Sequence, residues 1–254
     1  MEQAKQSNPG RRLHLIFSRA QSLALDPKAN GAAGNLWAGV FELAPTTVPV
    51  SAPVLQEVIS RLLQLDRLIA ETEAGLKRIE GLPQKYFGPF GRIRKIPQQS
   101  LIALSGDIRG TLHAVTPVDM TILDFCADKL EEQHTELVIS KDELQAILAD
   151  VNTLFDEVKK AQMDAGLQTF ILDGLESIRR GIYEFRIRGP ERLKETVGEI
   201  VGSLYVNYKT VAAAGENESL EKFNKLFNQL AAMMTFANTG VKLLTAFATP
   251  LLPG

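Results

Sequence analysis

The stretch LQTFILDGLESIRRGIYEFRIRGPERLKETVGEIVGSLYVNY, residues 167–208, decides how the chain is read. Ile171, Leu175, Ile178, Ile182 and Phe185 are spaced four, three, four and three, which puts all five on one helical stripe. Pro190 disfavours helical geometry at the residue before it, and Gly189 is a natural C-terminal cap. The apolar pattern resumes with Leu193, Val197, Ile200, Val201 and Leu204. So short a connection predicts an antiparallel helical hairpin.

Gly174 and Gly181 fall on one flank of the first stripe, and Gly198 and Gly202 share a face of the second helix. A glycine inside a helix costs roughly 1 kcal/mol relative to alanine. Four of them predict that a neighbouring backbone comes close. Tyr183 and Ile187 form a second apolar spot, which suits a helix central to a bundle. The same helix carries Arg179, Arg180, Arg186 and Arg188, with Arg192 after the turn. Guanidinium forks match phosphate oxygens, so these residues could form an anion surface. Alternatively they pair along the helix, Glu176 with Arg179 or Arg180 and Glu184 with Arg188.

Upstream, residues 1–10 read as a disordered lead-in, and the polar stretch Met1 to Pro9 lacks the apolar core of a secretory signal. Leu13, Ile16, Phe17 and Ala20 predict a short helix ending near Asp26-Pro27. Asn35 is placed to cap a second short helix that carries Trp37, the sole tryptophan and a candidate core anchor. Ala44 to Pro53 reads as a linker. Leu55, Val58, Leu62, Leu65, Ile69, Thr72, Leu76 and Ile79 then alternate three and four apart. They predict a heptad-patterned helix of about 28 residues, roughly 42 Å long, ended by Gly81 and Pro83.

Residues 84–99 are irregular and interleave Tyr86 and Phe87 with Lys85, Arg92, Arg94 and Lys95. That mixture suits either a single-stranded nucleic acid or a surface loop pinned by its aromatics. A helix is expected over Ser100 to Val115, another from Thr116-Pro117, and a third from Ser140, where Glu143 completes a capping box. No stretch alternates in the manner of a strand. The expected fold is all-α: a multi-helix bundle with a long heptad-patterned helix, a central hairpin and an apolar helical tail. Linker positions divide it into 1–49, 50–215 and 216–254.

The 254 residues carry a formal net charge of −2, which argues against a general nucleic-acid coat but not against a local basic patch. The single cysteine, Cys126, excludes an intrachain disulfide and suits a reducing compartment, so a cytoplasmic location is expected. No phosphate-binding loop or dinucleotide glycine fingerprint is present. Glu131 and His134 have the Glu-x-x-His spacing of di-iron bundles, but the motif does not recur, and no metal or cofactor is expected. Cys126 follows Phe125 in an apolar run and reads as a buried thiol rather than a nucleophile. Without a nucleophile and base, the expectation is a non-enzymatic protein.

The C-terminal run decides between two functions. Of the 23 residues from Leu230 to Leu252, 15 are apolar, and a spanning helix needs about 20 predominantly apolar residues. Lys242 near the middle costs roughly 2.5–3.5 kcal/mol on insertion, so two short helices hinged near Asn238-Gly240 are expected. In an assembly, Leu230, Met234, Asn238, Lys242, Leu243, Leu244 and Phe247 would form the membrane or partner contact. In layout, a helical body followed by a short apolar segment at Leu230 to Leu252 resembles membrane effectors of bacterial antiphage systems. The resemblance implies a homo-oligomer that acts on the inner face of the membrane in antiviral defence. The alternative is a soluble helical sensor or adaptor. It would bind a nucleotide or nucleic acid through Arg92, Arg94, Lys95, Arg186 and Arg188.

Overall fold

The structure is a computed structural model that describes residues 8–133, 136 and 139–235. The described residues are all-α, and the sole β pairing among them is an isolated bridge between Ala32 and Asp107. Two compact units emerge. Among the described residues, the first takes 8–133, 136 and Arg186–Gly189; the second takes 139–185 and 190–235.

In the first unit, α1 (Pro9–Leu25) starts where a disordered lead-in was expected. The Asn8 side chain accepts from the Arg11 amide at 2.9 Å, and Pro9 supplies the first helical position. Asn8 also donates to the Ala127 carbonyl at 3.0 Å, which ties the cap to α7 (Pro117–Gln133). Gly10 allows this crossing, since a Cβ there would lie 2.9 Å from the Ala127 Cα.

Helix α2 (Ala33–Val40) begins before Asn35 and has no side-chain cap. Its first amides, on Ala33 and Gly34, instead donate to the carbonyls of Gly106 and Leu104 at 2.8 and 2.7 Å. Residues needed for that cap cannot also be helical. The helix expected over Ser100 to Val115 is therefore two pieces, α5 (Lys95–Ile102) and α6 (Arg109–His113), parted by the capping loop. Asn35, inside α2, donates its side-chain amide to the Val48 carbonyl. Trp37 is fully buried, stacks on Phe41 and donates to the Ser100 hydroxyl at 2.9 Å.

The long helix α3 (Ala52–Lys77) buries Val58, Leu62, Leu65, Ile69, Thr72 and Leu76 against α1, α2, α5 and α7. Thr72, the polar member, is satisfied by donating to the Leu68 carbonyl at 2.7 Å. A 3-10 turn (Gln84–Phe87) and the short α4 (Phe90–Ile93) follow.

In the second unit, Ser140 and Glu143 form the expected capping box at the start of α8 (Lys141–Lys160). Helix α9 runs Ala165–Arg188, its last residues belonging to the first unit, and α10 (Pro190–Val206) follows the break at Gly189. Helices α11 (Tyr208–Ala213) and α12 (Glu218–Thr235) complete the unit, with α12 packed on α8 and α10. Ile171, Leu175, Ile178, Leu193, Phe223 and Leu230 share its core. The glycines behave differently from expectation. Side chains, not backbone, lie over Gly174 and Gly181: the Phe223 ring and the Thr196 hydroxyl. Gly198 and Gly202 face open space.

Ala44 to Pro53 stays within the first unit, where Asn30 donates to the Thr46 carbonyl at 3.0 Å. Gly215, at φ +56°, only turns the chain between α11 and α12 inside the second.

Candidate functional site, an arginine-lined cavity

Two of the basic residues of 84–99, Arg92 and Arg94, are engaged by carboxylates. Arg92 holds the buried Asp119 through two bonds, one of them 3.1 Å. Asp119 also accepts from the Thr116 amide at 2.9 Å and so closes the start of α7. Burial pushes the Asp119 carboxyl up, but donation from Arg92 and Thr116 outweighs it and holds the group below the usual carboxylate range. Arg94 pairs with Glu73, whose carboxyl is lowered chiefly by Lys77 on the same helix, with Arg94 adding to the effect against partial burial. Lys95 is exposed at the start of α5. Tyr86 spends one face stacking on Phe125 at 4.4 Å, and Lys85 sits over its ring. The loop is thus tied to the body of its unit by its own charges and rings. Cys126 is fully buried, and burial pushes its thiol up to about 12, far from thiolate reactivity at neutral pH.

Arg186 is placed differently. It lines a cavity of about 60 Å³ in the first unit together with Arg12, Arg19 and Arg61. Arg12 and Arg19 come from α1, Arg61 from α3 and Arg186 from the end of α9, with Ile16, Phe41 and Ile187 forming apolar wall. Arg12 is only 1% exposed at its side chain; its Nε donates to the Ile187 carbonyl at 3.1 Å, and its Nη1 pairs with Glu136. Arg61, 3% exposed, is held by Glu57 at 2.8 Å one turn earlier. Arg188 is partly buried at the end of α9.

Arg19 and Arg186 share a single carboxylate, Glu42, at 3.1 and 2.7 Å. Glu42 follows the end of α2. Its amide donates to the Gly39 carbonyl at 3.2 Å, and the next amide, of Leu43, donates to Ala38 at 2.8 Å. This is a Schellman closure, whose left-handed position is usually glycine. Glu42 takes it at φ 59°, alone among the described non-glycine residues, at a cost of roughly 1–2 kcal/mol. Arg19 also donates to the Gly39 carbonyl, at 3.2 Å from Nη2, where the α2 dipole favours a cation.

Of the arginines expected to bind an anion, the structure brings only Arg186 to this cavity. Sequence reading missed Arg12, Arg19 and Arg61. The available signal was spacing: Arg12 and Arg19 fall with Ile16 on one face of α1, and Arg61 lies three residues from Val58 on the buried side of α3.

On α9 and α10, Arg179 pairs with Glu176 at 2.8 Å, and Arg192 is buried against Glu184 at 2.6 Å. Among the described residues, no group of three or more His, Cys, Asp or Glu is placed to hold a metal ion. His134 lies outside them.

The expected assembly residues divide. Leu230 and Met234 are buried in the core of the second unit. Asn238, Lys242, Leu243, Leu244 and Phe247 lie outside the described residues. No helix among the described residues is long and apolar enough to cross a membrane. Compared with known proteins, the chain matches no family model, no curated protein and no solved structure.

Proposed function

We propose that the protein is a helical sensor or adaptor whose first unit binds a compact anion, such as the terminal phosphate of a nucleotide, in the arginine-lined cavity. The observation that carries this reading is the convergence of Arg12, Arg19, Arg61 and Arg186 on one small space with apolar walls. Guanidiniums are costly to bury, and a pocket with a few convergent polar groups on an apolar wall is the ordinary form of a small-ligand site. Four guanidiniums gathered on one space favour a compact, multiply charged oxyanion such as a nucleotide phosphate. Titration of the full chain with inorganic phosphate and with adenosine monophosphate should show binding that weakens as salt is raised. Arg186→Gln should weaken it about tenfold or more, while Arg94→Gln, whose partner is Glu73, should leave it unchanged. Absence of salt-sensitive binding to either ligand removes this reading.

A second reading rests on the apolar composition of the chain after α12. In it, residues 236–252 engage a membrane or a second copy, as in an oligomerising effector of bacterial defence on the cytoplasmic face. Because Leu230 and Met234 belong to the core, the informative truncation removes 236–254 rather than starting at 230. It is expected to lower oligomer mass and vesicle co-sedimentation while leaving the melting temperature of the body unchanged. Full-length protein that stays monomeric and ignores both vesicles and detergent would end this reading.

A further inference from the structure

We propose that Glu42 competes with the cavity's ligand: from the neighbouring groove its carboxylate bridges Arg19 and Arg186, two of the cavity's arginines, and a phosphate-class dianion takes over these two guanidiniums by displacing it. The proposal rests on the reading of the cavity as an anion site.

Three observations carry it. First, one carboxylate serves two guanidiniums, at 3.1 and 2.7 Å, which is the contact an incoming oxyanion would make. Second, Glu42 occupies a left-handed position that glycine fills more easily, so the backbone conformation does not call for a glutamate there. Third, the residues differ in freedom. Glu42 is 40% exposed and can swing into water, whereas Arg12 and Arg61 are fixed by burial. Arg19 has a second anchor besides Glu42, the Gly39 carbonyl, which accepts from its Nε and Nη2. Arg19 also lines the neighbouring open groove with Gly39, Glu42 and Thr46, so an anion arriving there meets Glu42 at the first guanidinium. A phosphate dianion offers two charges and more acceptor oxygens than the single carboxylate it replaces, which gives the exchange its direction.

The test measures phosphate and malonate affinity of the full chain by calorimetry. Wild type should bind phosphate, and more tightly than malonate. Glu42→Gln removes the competing charge and should bind phosphate about tenfold tighter. Glu42→Gly removes the whole side chain and the backbone penalty, and should bind tighter than wild type without a lower melting temperature. It also serves as the decisive variant should Glu42→Gln fail to fold. If wild type binds phosphate and the Glu42 variants bind it equally or more weakly, the competitor role is overturned while the site stands. Tighter malonate than phosphate binding overturns the phosphate assignment. If neither wild type nor any variant binds either anion, the site reading itself is lost.

Discussion

Leu65→Asp is expected to unfold the first unit. Leu65 is 0% exposed at the middle of α3, on the face that meets α1, α2, α5 and α7. Truncating a buried leucine to alanine costs roughly 2–5 kcal/mol through lost transfer energy and the cavity left behind. Aspartate adds the desolvation of a carboxyl group that must either stay protonated or draw water into the core. The sum reaches the whole stability of a typical domain, about 5–15 kcal/mol. Trp37, the sole tryptophan and fully buried in the same unit, gives a local fluorescence readout. Leu63→Asp is the control: it lies on the same helix but is 50% exposed, and should shift stability by no more than about 0.5 kcal/mol. Equal denaturation midpoints for Leu65→Asp and wild type would remove α3 from the core.

What could be read from sequence was local chemistry. The break at Gly189-Pro190 and the capping box at Ser140 and Glu143 each need only neighbouring residues, and both stand as expected. The burial of Val58, Leu62, Leu65 and Ile69 follows from spacing alone. Features that depend on distant partners were invisible. Nothing near Ala33 announces that its amide is satisfied by Gly106, so the break between α5 and α6 had no local sign. The α9 glycines signalled closeness correctly but not its kind, because a phenylalanine ring fills the space over Gly174 as well as a backbone would. The cavity is the extreme case. Its four arginines come from α1, α3 and the end of α9, up to 174 positions apart (Arg12 to Arg186). Basic density in the sequence therefore points to 92–95 and to Arg186 and Arg188; of these only Arg186 lines the cavity, while Arg92 and Arg94 hold Asp119 and Glu73.

Gly189 joins this cavity to the stability of the first unit, and Gly189→Ala should be among the most damaging single-methyl changes in the chain. Gly189 has φ +64°, which alone charges an L-residue roughly 1–2 kcal/mol. Gly81, at φ +76° in the same unit, carries the same penalty, but an added Cβ there meets nothing within 4 Å. At Gly189 the added Cβ would lie 2.6 Å from the Arg12 Cζ, inside the guanidinium. A long side chain would ordinarily move aside at little cost. Arg12 cannot, because it is buried and bound to both the Ile187 carbonyl and Glu136. Breaking a fully buried pair costs roughly 3–5 kcal/mol, and this pair, buried at Arg12 but a quarter exposed at Glu136, falls toward the lower end. Gly189→Ala should therefore lose about 3 kcal/mol more than Gly81→Ala in urea denaturation followed by Trp37 fluorescence. Arg12→Met, which clears the guanidinium in advance, should shrink the extra cost of Gly189→Ala toward the Gly81 value in a double-mutant cycle. If the two glycine variants differ by less than about 0.5 kcal/mol, the guanidinium swings away freely, and Arg12 is not the fixed wall that the anion site requires.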